Sequence, residues 1–338
     1  MERKRIKLPE GLEKFLQIRY IKLHFFLEIL HDGRLPRYKS SALRGGMGQM
    51  ILMTNCIRDR NCGNCDFEED CLVRRMMYPK MAIRPKFMTQ QDSEGYVLEC
   101  ENRDEVFMAG DILEFNLLLF GRSIVYFYQF LQAIYYLGMQ GLGVERVPFR
   151  VHHVTNTRGK RVVEGSDIFK ENLKILKVED YVGYRFGSKD TCKSNTLAFH
   201  SPLSMKFKGE VQEEFDPEAI LAAVERRLYI LNCFEGKRED DDFVRIMTQE
   251  HVPDLVRQHV FFEKIPRFSG THNKRVTFQG IRGYCILSEV DDVARTLLVA
   301  GELVHIGKNT SFGFGRYTLV EGGTSRFLKE NGPVTFAD

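Results

Sequence analysis

The order of strand-like and helix-like segments repeats once along the chain, and this repeat is the strongest constraint on its fold. In the first half, Ile21 to Ile29 alternates between apolar and polar side chains, as a half-buried strand does. Five segments follow in the order helix, strand, strand, helix and strand: 42–53, 95–100, 111–120, 123–137 and 147–155. The order β-α-β-β-α-β is the split βαβ arrangement, so the first half is predicted to form one such unit.

The second half shows the same order without repeating the amino-acid sequence. Its segments, in the order strand, helix, strand, strand, helix and strand, are 196–199, 217–233, 259–268, 276–287, 290–304 and 316–320. Two such units in tandem predict an α+β fold of two ferredoxin-like domains. We place these domains at 1–155 and 196–325, and residues 156–195 are the predicted connection, with a small hairpin of its own.

Local signals refine these elements. Asp216-Pro217 is a strong helix start, and Ser40 or Ser41 is the predicted N-cap of the first helix. Two histidines share the strand at 147–155, and strict alternation predicts that either His152 or His153 faces the core while the other faces outward.

Composition indicates a globular protein. The chain has 338 residues, of which 43% are hydrophobic. No apolar run reaches the ~18 residues of a membrane span, and no signal-type apolar core follows the basic start, so we expect a soluble cytoplasmic protein without a membrane partner. The net charge of +3 does not by itself indicate nucleic-acid binding. Gly33–Arg58 and Arg267–Ser288, however, are basic and contain no acidic residue.

Four cysteines form the most specific chemical pattern in the chain, Cys56-x5-Cys62-x2-Cys65-x5-Cys71. In a cytosolic protein, thiols at this spacing are more typical of metal ligands than of disulfides. A closed tetrahedral zinc site is the first interpretation, and it would be structural because no coordination position stays open. An Fe–S cluster also takes four cysteines and is the alternative, and the absence of any metal is the third possibility.

A glycine-rich stretch near the C-terminus runs from Gly301 to Tyr317. Gly307, Gly313 and Gly315 remove the Cβ atoms that would keep a backbone away from a ligand. Cations and hydroxyls lie among them, so the stretch 307–315 is predicted to bind phosphate, and Lys308, Ser311 and Arg316 are the candidate donors. A plain turn between a helix and a closing strand is the alternative. The spacing fits neither nucleotide-binding glycine motif, so no nucleotide cofactor is predicted.

In order and spacing, residues 302–317 resemble the C-terminal glycine-rich loop of the CRISPR precursor-RNA processing endoribonucleases of the RAMP superfamily. Leu43-Arg44-Gly45-Gly46 followed by the cysteines resembles the cysteine-containing branch of that family. The resemblance implies a role in antiviral defence. It also implies binding of CRISPR repeat RNA and cleavage without a catalytic metal, by attack of a ribose 2′-OH on the adjacent phosphate. The candidate RNA-binding residues are then Arg44, Lys274, Arg275, Arg282, Lys308, Ser311, Gly313, Gly315 and Arg316.

Such cleavage needs a general base, usually histidine, and groups that stabilise the phosphorane charge. Members of this branch often carry histidine at the position of Gln49, so the usual base is missing here. His31 with Tyr38 and Lys39 is the preferred catalytic set, because the family places its catalytic groups between the first strand and first helix. His305, beside the glycine-rich stretch, is the second choice.

Two other classes of function remain open at this point. The chain could retain RNA without cutting it, as a subunit of a CRISPR effector complex, and the glutamine at position 49 favours this. It could also be an unrelated metalloprotein that binds an acidic partner. The sequence gives no indication of its oligomeric state.

Overall fold

The computed structural model describes residues 11–62, 65–79, 81, 84–85, 95–187, 195–236, 249–269 and 274–321. Its helices are α1 (Lys39–Asn55), α2 (Leu72–Met77), α3 (Phe127–Gln140), α4 (Val178–Gly187), α5 (Pro217–Glu235) and α6 (Asp292–Val304). The strands of the first half are β1 (Arg19–Ile29), β2 (Gly33–Arg34), β3 (Tyr96–Glu99), β4 (Val106–Phe107), β5 (Ile112–Phe120), β6 (Phe149–Asn156), β7 (Arg161–Glu164), β8 (Asp167–Ile168) and β9 (Leu176–Lys177). Those of the second half are β10 (Asn195–Leu203), β11 (Lys206–Phe207), β12 (Glu210–Val211), β13 (Leu255–Ser269), β14 (Lys274–Leu287) and β15 (Tyr317–Glu321).

Each half builds its own antiparallel sheet. The first has the order β3-β5-β1-β6-β7-β8, with β9 paired to β1, and the second has the order β13-β14-β10-β15. In both sheets the first strand of the unit lies between its third and fourth, as the β-α-β-β-α-β order requires. The predicted mixed fold is confirmed, and the hairpin expected in the connection is β7 with β8, which extends the first sheet.

The start of α5 follows the sequence signal. The Asp216 side chain accepts hydrogen bonds from the amides of Glu218 and Ala219, and Pro217 occupies the first turn. The predicted N-cap of α1 is wrong: the helix begins at Lys39, and Tyr38 precedes it without a capping side-chain bond. Ser40 and Ser41 therefore lie inside the first turn, because Lys39 is drawn into the protein, where its Nζ donates to the carbonyl oxygens of Asn102 and Asp104.

Strict alternation fails in β6, where the register with β1 shifts between Phe26 and Leu27. His152 is exposed and His153 is half-buried, so neither ring enters the core, and the prediction that one of them does is wrong. The bulge adds a residue to β6, which turns both rings toward the open face of the sheet.

Two hydrophobic cores hold the molecule together. One lies between the first sheet and α1 with α3 and includes Phe25, Phe115 and Phe130. The other surrounds α5 and α6 and also takes in Tyr20, Val97 and Phe120 from the first sheet, so it ties the two halves to each other. No helix within the described ranges is both long and apolar enough to cross a membrane.

Candidate nucleic-acid interface

A narrow cleft lies where the two domains meet. The first domain contributes Tyr38, Ser40, Ser41, Glu99, Cys100, Glu101 and Arg103, and the second contributes His200, Ser201, Pro202, Ile265, Phe278, Phe312, Gly313, Phe314 and Arg316. We call this set the inter-domain cleft. It brings together the start of α1, the end of β3, the middle of β10 and the glycine-rich stretch, which are far apart in sequence.

The first turn of α1 supplies part of the cleft wall. Ser40 and Ser41 line the cleft, and the turn carries no acidic residue and no side-chain cap. The first amides of a helix lack intrahelical partners and carry partial positive charge, so this end of α1 favours an anion. Arg103 and Arg316 add positive charge to the same cleft, and Arg316 is paired there with Glu99 and Glu101.

Arginines and aromatic rings are stacked in and beside the cleft. The guanidinium of Arg103 lies 4.8 Å from the ring centroid of Tyr38. Arg44 and Arg267 approach Phe312 at 4.6 and 4.7 Å, and Arg267 lies 4.9 Å from Phe278. Aromatic faces and guanidinium planes together suit nucleic acid, since bases stack on both and the guanidinium also binds phosphate.

Several arginine side chains lie close to one another in and beside the inter-domain cleft. Burial and the neighbouring Arg282 lower the pKa of Arg103, and burial and Arg44 lower the pKa of Arg267. The Nε atoms of Arg103 and Arg267 are buried and have no hydrogen-bond partner within the described residues. Clustered cations with unused donors are stabilised by an incoming anion.

The glycines of the stretch 307–315 are required by packing inside the protein. A Cβ at Gly313 would overlap the carbonyl oxygen of Leu98 in the first domain, and one at Gly315 would overlap the carbonyl oxygen of Ile306. Both glycines have positive φ angles, of 81° and 67°. The stretch therefore packs directly on β3 and forms part of the contact between the domains.

Most amides of this stretch already have acceptors. Lys308 N–H donates to the Ser204 carbonyl at 2.7 Å, and Gly315 N–H donates to the Pro202 carbonyl at 2.9 Å. Gly313 N–H bonds within the turn, to Thr310. The predicted backbone cradle for phosphate is thus occupied by the protein's own carbonyls, which corrects that part of the sequence interpretation.

The side chains predicted to bind RNA are dispersed. Arg316 and Gly313 line the cleft, Arg44 stands beside it on Phe312, and Arg282 lies close enough to lower the pKa of Arg103. Lys308 is exposed away from the cleft lining, whereas Ser311 and Gly315 are buried. The side chains of Lys274 and Arg275 lie outside the described part of the structure.

A buried carboxylate joins the two domains behind the cleft. Glu99 accepts hydrogen bonds from Lys22 Nζ at 2.8 Å and Asn116 Nδ2 at 2.9 Å, and its other oxygen contacts His305 Nε2 at 2.9 Å. Arg316 Nε lies 3.8 Å from the same carboxylate. Although burial raises it, these cations hold the pKa of Glu99 well below its ordinary value.

His305 is placed for structure rather than catalysis. Its side chain is fully buried, and its Nδ1 lies 3.0 Å from the carbonyl oxygen of Phe314 while Nε2 faces Glu99. Because both ring nitrogens face oxygen atoms, no lone pair is open to a substrate. This placement does not fit the predicted role of general base.

The preferred catalytic set is also separated by the structure. Tyr38 lines the cleft, but Lys39 is fully buried, and His31 is exposed outside the lining. Gln49 is exposed on α1 and does not line the cleft either.

The histidine that does line the cleft is His200, which the sequence interpretation did not single out. Its Nε2 lies 2.8 Å from Thr318 Oγ1, and burial together with Arg316 lowers the pKa of His200 to about 4. The imidazole is therefore neutral at neutral pH, and in this structure it is a weaker base than an ordinary histidine. The only sequence signal was the motif Phe199-His-Ser-Pro202, which runs along the middle strand of the second sheet.

The four clustered cysteines border one small cavity. Cys56, Cys62, Cys65 and Cys71 line it together with Arg58, Arg60 and Arg74, among others. Within the described residues, however, no group of three or more His, Cys, Asp or Glu side chains is arranged to hold a metal ion. The turn residues Gly63 and Asn64 lie outside the described residues. The structure therefore does not bear out the predicted metal-binding knuckle.

Models of two protein families match this chain, one in each half. Residues 197–317 match the family model described as CRISPR-associated endoribonuclease Cas6, and residues 16–180 match a family named AF_1859_N, described as an N-terminal domain. An uncharacterized protein of Archaeoglobus fulgidus is 23% identical over 320 residues, which cover 90% of this chain and 98% of the relative.

Solved structures share the fold. A partial Cas6-RT-Cas1–Cas2 complex has a TM-score of 0.56 at 10% identity, over 91% of this chain and 47% of that chain. The Cas6-RT-Cas1–Cas2 complex gives the same score and identity, over 91% of this chain and 29% of that one. The chain thus spans less than half of the length of the proteins in these two structures. The resemblance to CRISPR RNA-processing proteins is confirmed by the Cas6 match.

Proposed function

We propose that the chain binds CRISPR repeat RNA in the inter-domain cleft and cleaves it there, because residues 197–317 match the Cas6 endoribonuclease model. The observation that supports this most strongly is the convergence of stacked arginines and aromatic rings on the uncapped end of α1. Phosphate suits the cations and the helix end, and bases suit the rings.

The reaction we propose is attack of a ribose 2′-OH on the adjacent phosphate, which leaves a cyclic phosphate and a free 5′-OH. The nucleophile belongs to the substrate, so the protein must accept the proton of the 2′-OH and stabilise the charge of the phosphorane. As the bond from phosphorus to the 5′ oxygen breaks, the departing oxygen takes a proton from solvent. We assign the proton transfer to His200. We assign the charge stabilisation to Arg103, Arg316 and the first amides of α1. In this proposal no metal ion takes part in the bond-making step.

The second candidate function is retention of RNA without cleavage, as a subunit of a CRISPR effector complex. It is favoured by the engagement of His200 with Thr318 and by the exposed position of Gln49. Incubation of repeat RNA with the purified protein separates the two functions, since only the first one yields shortened RNA with a cyclic phosphate end.

Replacement of Arg267 by alanine is expected to weaken binding of repeat RNA and to flatten its salt dependence. Loss of one phosphate contact reduces the slope of log affinity against log salt concentration by about one. Affinity should be measured at several salt concentrations. Arg267 lies against Phe278 and Phe312, two rings of the cleft lining. The matched control is Arg257→Ala, which removes an exposed arginine ten residues earlier on the same strand. Equal slopes for the two variants would place the RNA away from the cleft.

We further infer that the four clustered cysteines hold a structural zinc ion, with an Fe–S cluster as the alternative. Four thiols around one cavity are a donor set that suits a soft cation. Burial raises the pKa of the Cys62 thiol although Arg74 opposes the rise, so a bound cation would have to stabilise the thiolate form. The ion would stabilise the insert and take no part in cleavage.

Elemental analysis of the purified protein is expected to show about one zinc ion per chain, and Cys62→Ser should reduce this content. The same variant should make the segment 56–71 more sensitive to limited proteolysis, because binding of the ion orders it. Metal-free wild-type protein whose proteolysis pattern matches that of Cys62→Ser would contradict the inference.

A further inference from the structure

We propose that the open face of the first sheet is a second RNA surface, on which unpaired bases stack. The surface is a shallow, open basin, which we call the histidine basin. It is lined by Lys22, His24, Phe26, Asn116, His153, Thr155, Asn156, Thr157, Gly159, Arg161 and Tyr181. This inference rests on the proposed function, since it supposes that the ligand of the cleft is RNA.

Three rings form a continuous row along the basin floor. Phe26 and His153 are stacked, with 4.0 Å between ring centroids and 21° between the planes. His24, two residues before Phe26 on the same strand, has its ring centroid 4.3 Å from that of Phe26, with the planes tilted by 42°. His153 lies opposite Phe26, at the β-bulge in the pairing of β6 with β1. Without this bulge, regular alternation along β6 would have placed one of its two histidines in the core.

The row is available because the helices of this domain cover the opposite face of the sheet. Leu23, Phe25 and Leu27 point into the core beneath α1 and α3, so the alternate residues of β1 point away from it. Rings on the open face of a four-stranded antiparallel sheet are a known means of binding single-stranded RNA, because each ring stacks on a base. His153 is suited to this, since burial and Arg161 lower its pKa to about 4 and the ring is uncharged at neutral pH.

The polar lining favours nucleic acid over an acidic protein segment. Amides and hydroxyls that can read base edges alternate with the cations Lys22 and Arg161, and no carboxylate is part of the lining within the described residues. The carboxylates that border the basin are each paired with a lining residue: Glu99 with Lys22 at 2.8 Å, Glu114 with His24 Nε2 at 2.9 Å, and Glu164 with Arg161 Nε at 3.4 Å.

The histidine basin and the inter-domain cleft meet at one side chain. Lys22 and Asn116 line the basin and donate to Glu99, and Glu99 itself lines the cleft beside Arg316. The two surfaces are therefore separated by a single buried carboxylate. A single RNA strand bound in the cleft would continue onto the row of rings. The ligand that we propose for the basin is therefore an unpaired segment of the same RNA.

The test uses single-stranded RNA of repeat sequence with one 2-aminopurine in the unpaired segment that flanks the cut. Wild-type protein is expected to quench its fluorescence, because stacking on a ring quenches this base. Phe26→Ala should remove the quenching and weaken affinity by about 5- to 150-fold, the range for loss of one stacked base. The control is Phe262→Ala, which removes an exposed phenylalanine from a strand of the other domain and should change neither quantity.

Phe26→Leu separates stacking from packing, since it keeps an apolar side chain on β1 and loses the aromatic face. Phe26→Leu should bind the RNA as weakly as Phe26→Ala and should also fail to quench the 2-aminopurine fluorescence. The leucine variant gives this test even if the alanine variant folds poorly. Full affinity and quenching in Phe26→Leu would overturn the inference while leaving repeat RNA binding in the cleft intact. Absence of any binding of repeat RNA by the wild-type protein would overturn both proposals.

Discussion

His200→Ala is expected to slow cleavage of repeat RNA by about 10²- to 10⁴-fold, the usual cost of removing a general base. The affinity for RNA should be retained, because the positive charge around the cleft comes from Arg103, Arg267 and Arg316. In the proposed reaction the neutral imidazole would accept the proton of the 2′-OH, and a phosphate bound beside Arg316 would supply negative charge that stabilises the imidazolium. Single-turnover rates measured at saturating protein concentration report the effect of His200→Ala on the cleavage step alone, because all of the RNA is then bound.

His31→Ala is the matched control for this experiment. The sequence favours His31 as the base, but the structure places it exposed and outside the cleft lining, so its removal should leave the rate unchanged. A normal rate in His200→Ala, or a large loss in His31→Ala, would show that the proton transfer belongs elsewhere.

Glu99→Gln is expected to lower the free energy of unfolding by about 3–5 kcal/mol at neutral pH, the usual cost of breaking a buried ion pair on one side. The side chain of Glu99 is only 2% exposed and neutralises Lys22 and Arg316 at the contact between the domains. Its removal leaves these cations without their buried partner. Denaturant unfolding of the two proteins measures the difference.

The lowered pKa of Glu99 also predicts that the free energy of unfolding falls at acid pH. The pKa of Glu99 is lowered well below 4.5 in the folded protein, so its stabilisation is complete above that pH and is lost as the pH falls through the folded value. Glu99→Gln should therefore lose less stability than the wild-type protein between pH 5 and acid. The control is Glu101→Gln, whose carboxylate also pairs with Arg316 but is 68% exposed, so its removal should cost only about 0–1 kcal/mol. Equal losses in the two variants would contradict the account.

The architecture was accessible from sequence because it depends on local patterns. The alternation of β1, the start of α5 at Asp216-Pro217 and the repeated order of elements each reflect interactions between residues close in the chain. Once two β-α-β-β-α-β units are recognised, the position of each first strand at the centre of its sheet follows from the topology.

The composition of the site was less accessible, because it depends on contacts between the two domains. Glycine at position 313 signals a close approach, but only the structure shows that the approaching group is the carbonyl of Leu98 rather than a phosphate. Similarly, His305 and His200 are both near the glycine-rich stretch in space. Their roles differ because His305 is buried against Glu99, some 200 residues away in sequence, whereas His200 lines the cleft.

The chemistry itself is tested most directly by cleavage of repeat RNA against a matched RNA with a single 2′-deoxy substitution at the cut site. We expect the wild-type protein to cut the first RNA in the presence of EDTA, to leave a 2′,3′-cyclic phosphate, and to bind the second RNA equally well without cutting it. Tight binding of the unmodified RNA with no cleavage, or equal cleavage of both RNAs, would contradict the proposed reaction.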